Sequence, residues 1–168
     1  MYRMATRDGL TDVFNKRFFL DQLEVKISET KRMKQPLALL MMDVDHFKRI
    51  NDQFGHVAGD QVLQGLASVA KSCVRKEDIF ARYGGEEFSV IAARLDANHA
   101  WTLAEKIREG VMNHLFVFEP HRIPVTISVG GFVMTAEGLL PSEEFIKKAD
   151  GALYEAKRSG RNRTIIAS

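Results

Sequence analysis

Apolar residues recur four apart at Phe19, Leu23 and Ile27, the one-sided spacing of an amphipathic helix. Asn15 can cap that helix, which is predicted to run to about Lys34 before Pro36 ends it. The pattern then changes. Residues 37–42 are apolar without a break, so 37–43 reads as a strand buried on both faces. A short helix over 46–54 follows, with Phe47, Ile50 and Phe54 inward and Gly55 as a left-handed stop. A longer helix over 60–74 turns Leu63, Leu66, Ala70 and Cys73 to the core. Residues 79–83 and 88–93 are short apolar runs joined through Gly84-Gly85, which predicts a tight hairpin with positive φ at both glycines. A helix over about 96–114 and a strand at 125–134 come next. A helix starting at Pro141-Ser142 then runs to about Gly160, and a strand at 163–166 closes the chain. From the first strand onward the order is β-α-α-β-β-α-β-α-β. It predicts an α+β fold in which helices lie against the face of one sheet, related to the ferredoxin-like split βαβ unit.

Composition narrows the class. A chain of 168 residues without repeats or low-complexity tracts reads as one domain over 1–168. The longest apolar run, 37–42, is far too short to cross a bilayer, and the stretch at 2–8 lacks the apolar core of a secretory leader. No membrane contact is therefore expected. Cys73 is the only cysteine, so an intrachain disulfide is excluded and a reducing, cytoplasmic setting is expected. Lys plus Arg number 24 against 22 Asp plus Glu, and this near balance argues against a nucleic-acid partner.

Candidate chemistry clusters at strand ends. Asp43 falls where the buried strand leaves the core, which holds its backbone rigidly while its carboxylate can reach solvent. It is read as a metal ligand or a solvated strand-end charge. Asp45 directly precedes a helix and reads as an N-cap ahead of a ligand. Gly84-Gly85-Glu86-Glu87-Phe88 places two acids directly after the turn, which a simple surface hairpin does not require. By average composition this pentapeptide arises by chance in roughly one such chain in ten thousand, so it calls for a chemical reason. Glu86 and Glu87 cannot both face one way in a regular strand, so one is expected to bind metal and the other to serve a nucleophile or a structural contact. Hard oxygens without a Cys/His cluster favour Mg²⁺ (or Mn²⁺) over zinc.

The short helix adds anion-binding groups. The free N–H groups at its start and Lys48 suit a phosphate, although plain helix solvation also accounts for Lys48. Asn51 and Asp60 offer an amide and an anionic acceptor that suit guanine better than adenine, while Asp60 after Gly59 also reads as a helix cap. His56, following Gly55, reads as a turn residue. Lys157-Arg158-Ser159-Gly160-Arg161 places cations at a helix C-terminus, for dipole compensation or for clamping a polyphosphate through Lys157 and Arg161.

Together these residues resemble the GGDEF-domain diguanylate cyclases, with the signature in its GGEEF form. The likeness runs from Asp8-Gly9-Leu10-Thr11 to Gly160-Arg161-Asn162. It includes Asp43-Val44-Asp45-His46-Phe47-Lys48, Asn51-Asp52, Phe54-Gly55-His56, Gly59-Asp60 and Arg82-Tyr83. It implies a five-stranded central sheet wrapped by helices, akin to the palm of nucleotidyl cyclases and polymerases. It implies condensation of two GTP into cyclic di-GMP across a homodimer of half-sites. By motif position, Asp43, the Val44 carbonyl and Glu86 would hold the metal, with Glu87 near the reacting 3′-hydroxyl. Asn51 and Asp60 would read guanine, with His56 close to the nucleotide. Lys48, Lys157, Arg161 and the backbone N–H groups of His46 and Phe47 would meet the phosphates. Arg75-Lys76-Glu77-Asp78 sits where the family has its Arg-x-x-Asp product-inhibition site. The pattern alone is weak, since Arg49-Ile50-Asn51-Asp52 matches it too, and a surface ion pair is the plainer account.

Departures from the family pattern matter. Asp12 stands where the family usually has glycine. Lys106 stands where it often has a further product-binding arginine, leaving Arg108 as the substitute because lysine lacks the planar fork. Few residues precede Asp8, so a fragment of a longer regulator, its C-terminal output domain, is expected. The rival from another class is a non-catalytic cyclic di-GMP receptor, which would have no need of Asp43, Glu86, Glu87 and Lys48.

Overall fold

In the computed structural model, which describes residues 5–168, the unbroken apolar run becomes β1 (Leu37–Val44), the central strand of a five-stranded sheet. The other strands are β2 (Ile79–Arg82), β3 (Glu87–Ala93), β6 (Ile127–Met134) and β7 (Thr164–Ala167), in the order β2-β3-β1-β6-β7. β1 runs antiparallel to β3 and β6, β2 antiparallel to β3, and β7 parallel to β6. The helices are α1 (Lys16–Met33), α2 (Phe47–Phe54), α3 (His56–Cys73), α4 (Ala97–Asn113) and α5 (Ser142–Arg158). Residues 2–4, part of the stretch read above as lacking a leader, lie outside the described residues.

Strand alternation explains why β1 is apolar throughout. Leu37, Leu39 and Met41 join a core with Phe19 and Leu23 of α1 and Phe145, Ala149 and Leu153 of α5. Ala38, Leu40, Met42 and Val44 point the other way, into a larger core with α2, α3 and α4. The sheet is therefore covered on both faces, as the unbroken apolar run of β1 predicts. α5 lies unusually close: a Cβ at Gly130 of β6 would collide with the backbone of Ala152 and Leu153, so glycine is what admits the helix.

Several boundaries differ from the sequence reading. α3 starts at His56, not near residue 60, which puts Asp60 inside the helix, exposed, and removes its capping role. A short hairpin of β4 (Phe116–Phe118) and β5 (His121–Ile123) forms in the stretch read as a connection. Neither Gly84 nor Gly85 has positive φ; the positive-φ glycines are Gly55 and Gly160. The β2–β3 connection is instead a wider loop closed by Tyr83 N and Gly84 N donating to Glu87 O at 2.8 and 3.2 Å. Asp12 does take the left-handed conformation, φ 57°, for which glycine is the usual choice and which aspartate tolerates better than most residues. Its turn is held by Thr11, whose N and Oγ1 donate to Asp8 Oδ2 at 2.9 and 2.7 Å.

Candidate functional site

Asp43, at the end of β1, shares by alternation the face that α5 covers, and its cross-strand partner is Glu87. It is only 5% exposed, more enclosed than its place at a strand end suggested. Lys157, from the last turns of α5, brings its Nζ to 2.5 Å from Asp43 Oδ2. Glu86 lies in the loop before β3, so the alternation rule does not separate the two glutamates as expected. Burial raises the Glu86 carboxyl above its ordinary pKa, and the charge of Asp43 together with a hydrogen bond between the two carboxyls adds to this. Burial also raises Glu87, followed by Asp43 and Asp150, with Lys157 and Lys16 opposing. The site therefore gathers several carboxyls around few cations, and it is short of positive charge.

The loop itself is braced from behind. Arg82 donates to Gly85 O from Nε at 3.1 Å and Nη2 at 2.8 Å, while its Nη1 reaches Asp8 Oδ2 at 3.2 Å. This links the Asp8 turn to the glycine loop. A Cβ at Gly85 would meet nothing within 4 Å, so neither φ nor protein crowding demands glycine there.

Asp45 is neither the expected cap nor placed as a metal ligand. Its Oδ1 accepts from Ser128 Oγ at 2.6 Å, and its Oδ2 from Thr126 Oγ1 at 2.8 Å and Asn162 N at 3.0 Å. The residue heading α2 is His46, exposed, at φ 54° and with no side-chain cap, so the first N–H groups of that helix lack a side-chain acceptor. Phe47 is buried beneath them. Lys48 is exposed and paired with Asp52 at 2.8 Å. The Asn51 amide is half-buried, its Oδ1 unpartnered, and it occupies the space that a side chain at Gly59 would fill. That contact brings Asn51 and Asp60 to one junction of α2 and α3. His56, exposed, opens α3, and Arg161, also exposed, stands just past α5.

The predicted product site lies at the opposite end of β2 from the glycine loop. Arg75 chelates Asp78 through Nε at 3.2 Å and Nη2 at 2.9 Å, and Nη2 also donates to Ala93 O at 2.7 Å. The Asp78 side chain is 1% exposed, so this is a half-buried structural pair and not a loose surface one. Arg108, also expected to bind product, makes no hydrogen bond to this pair among the described residues. Its guanidinium is held by Glu105 at 2.6 and 2.9 Å and by Asn162 Oδ1 at 2.8 Å. Lys106 is exposed, and its backbone carbonyl lies 3.9 Å from Cys73 Sγ at the end of α3. Sequence reasoning missed the bracing by Arg82 and the Asp45–Asn162–Arg108 chain, because both join residues far apart in sequence. It also missed Lys16 and Asp150, whose charges act on Glu87 and which carry no motif of their own.

Comparison with known proteins bears on this geometry. Residues 5–163 match the family described as "Diguanylate cyclase, GGDEF domain". The chain is 41% identical over 165 residues to the probable diguanylate cyclase DgcT of Escherichia coli K12, covering 97% of this chain and 36% of that protein. It is 39% identical over 170 residues to diguanylate cyclase A of Treponema denticola, covering 99% of this chain and 46% of that one. It thus spans less than half the length of these two relatives. Among solved structures, the coiled coil and GGDEF domain of DgcB from Caulobacter crescentus, in complex with c-di-GMP, aligns with a TM-score of 0.92. That match has 34% identity and covers 99% of this chain and 87% of the other.

Proposed function

The chain belongs to the GGDEF-domain family of diguanylate cyclases, and we propose that it condenses two GTP molecules into cyclic di-GMP, releasing two pyrophosphates. One observation carries the proposal. Asp43 and Glu86 meet at the mouth of the glycine loop with Lys157 against them, beside a helix start without a side-chain cap. Among the described residues no cluster of three or more acidic, His or Cys side chains could enclose a metal by itself. Two carboxylates and a backbone carbonyl nevertheless suit Mg²⁺, which is commonly held by one or two carboxylates together with substrate phosphates. The raised Glu86 carboxyl, crowded by Asp43, is the electrostatic counterpart of such a site. When bound at Asp43, Glu86 and the Val44 carbonyl, Mg²⁺ (or Mn²⁺) supplies charge that polarises the α-phosphate and lowers the pKa of the attacking 3′-hydroxyl.

The chain's own residues do the rest. Asn51 and Asp60 hold guanine at the α2–α3 junction, with His56 alongside. Lys157, Arg161, Lys48 and the N–H groups of His46 and Phe47 meet the phosphates, with Lys48 exchanging Asp52 for the ligand. Glu87 stands next to the 3′-hydroxyl, and its raised carboxyl is suited to accepting a proton. Each 3′-oxygen forms one bond to the α-phosphorus of the facing nucleotide as one pyrophosphate leaves. One domain holds one GTP, so two protomers must meet antiparallel. The product then binds at Arg75 and Asp78 and inhibits. A non-catalytic receptor would not require the acidic cluster at Asp43.

Glu86→Gln and Asp43→Asn test the proposal. Each should abolish product formation at unchanged Mg²⁺ while leaving the circular dichroism of the fold intact. Near-normal turnover by either variant would remove the metal assignment.

A further inference from the structure

The cations proposed for the triphosphate, Lys157 and Arg161, sit at the end of α5 and in the loop beyond it, and that loop has an improbable backbone. Gly160, Arg161 and Asn162 are all left-handed, at φ 128°, 62° and 44°. L-residues other than glycine avoid that region, so two of them in succession must be held there by contacts. Arg161 N donates to Ala156 O at 3.0 Å and Arg163 Nε donates to Arg161 O at 3.1 Å, but the bonds from these residues that reach beyond the loop and α5 are made by Asn162. Its backbone N–H donates to Asp45 Oδ2 at 3.0 Å, and its side-chain Oδ1 accepts from Arg108 Nη1 at 2.8 Å.

Both anchors are themselves fixed. Asp45 is 7% exposed, and the hydroxyls of Ser128 and Thr126 donate to its two oxygens. Arg108 is gripped by Glu105, whose Oε2 also accepts from Thr164 Oγ1 at 2.8 Å. The Arg108 and Glu105 side chains are 12% and 17% exposed, so little water competes for the pair. A half-buried chain of hydrogen bonds thus ties the loop to the end of β1, two residues from Asp43, and to the middle of α4. Arg161, directly before Asn162, has an exposed side chain that engages no partner among the described residues.

We infer that Asn162, anchored by Asp45 and Arg108, is a positioning residue that aims Arg161 at the β- and γ-phosphates of the bound nucleotide. The inference rests on the proposed nucleotide site. It gives Asp45 a task that capping did not supply, and Arg108 a task besides product binding. It also explains why a glutamate–arginine pair buried away from the chemistry sits against the loop after α5.

The test is a double-mutant cycle on binding. The probes are 3′-deoxyGTP, which lacks the attacking hydroxyl and cannot react, and GMP, which lacks the β- and γ-phosphates. Both are titrated calorimetrically with Mg²⁺. Asn162→Gly removes the amide and eases the left-handed backbone. It should weaken 3′-deoxyGTP binding about tenfold while changing GMP binding less than about twofold. Arg108→Met, which leaves the loop's own residues untouched, should show the same selectivity, and thermal unfolding identifies folded variants. In an Arg161→Ala background, Asn162→Gly should have no further effect, because its influence passes through the missing guanidinium. Equal losses in both backgrounds, equal losses for both probes, or no loss while Arg161→Ala itself weakens binding would each overturn the inference. Unimpaired 3′-deoxyGTP binding by Arg161→Ala would instead overturn the phosphate role of Arg161, and with it the inference.

Discussion

Gly59→Ala separates the stability of this fold from its recognition of guanine. The added Cβ would collide with Asn51 Oδ1 and lie 3.2 Å from Phe47 Cζ. Overpacking of a tight site costs about 1–3 kcal/mol, and here the low end applies. The Asn51 oxygen has no hydrogen-bond partner to lose, and the half-buried amide can turn aside. Replacing glycine by alanine within a helix returns about 1 kcal/mol, so net stability should change by no more than about 1 kcal/mol. Binding should suffer more. An amide turned away from guanine leaves base donors or acceptors unmatched, at about 1–3 kcal/mol, which is roughly 5- to 150-fold in affinity. Urea unfolding gives the first quantity, and calorimetric titration with GMP and 3′-deoxyGTP gives the second. The two nucleotides should lose affinity equally, because the lesion is at the base. Affinities within about twofold of wild type in a folded variant, or a loss confined to the triphosphate, would refute the assignment of Asn51.

Arg75→Ala should weaken cyclic di-GMP binding, measured by titration, and also lower stability by about 1–3 kcal/mol, since the buried Asp78 loses its guanidinium and keeps only backbone support. Unchanged product affinity would reduce Arg75 to a structural pair. Glu105 is held below its ordinary 4.5, mainly by the Arg108 hydrogen bonds, which outweigh burial, with Thr164 adding to them. A lowered carboxylate stabilises the fold above its unfolded pKa, and that contribution fades as pH falls through the folded value. Glu105→Gln should therefore be less stable than wild type at pH 7, with the gap narrowing below about pH 4.5 in urea titrations. Initial rate per protomer should rise with protein concentration, and tethering two copies through an N-terminal coiled coil should raise it at low concentration. A constant rate from a species shown by ultracentrifugation to be monomeric would exclude the two-half-site arrangement.

The fold was largely legible because its central strand is apolar at every position and its helices keep a clean period. Those patterns are local, and so is Asn15, which caps α1 as its type predicts, accepting from Phe18 N at 2.9 Å. Readings failed where a long-range partner outbid a local role. Asp45 looks like a cap until Thr126, Ser128 and Asn162 claim its oxygens, and nothing local announces that Asn162 meets Arg108. Gly84-Gly85 reads as a tight turn from type alone, whereas Arg82 shapes a wider loop by gripping Gly85 O. Asp12 and Asn51 run the other way. Each was flagged from sequence, and the structure supplies a physical setting: a left-handed turn for one, and the space left by Gly59 for the other.

Product identity is the most direct test of the central claim. The protein, at high concentration or tethered as a dimer, is incubated with GTP and Mg²⁺, and the nucleotides are resolved by mass spectrometry alongside a pyrophosphate assay. The account predicts cyclic di-GMP with two pyrophosphates released per molecule, and none from ATP alone. A protein that binds cyclic di-GMP yet leaves GTP intact under these conditions, or that forms only a linear dinucleotide, would contradict it.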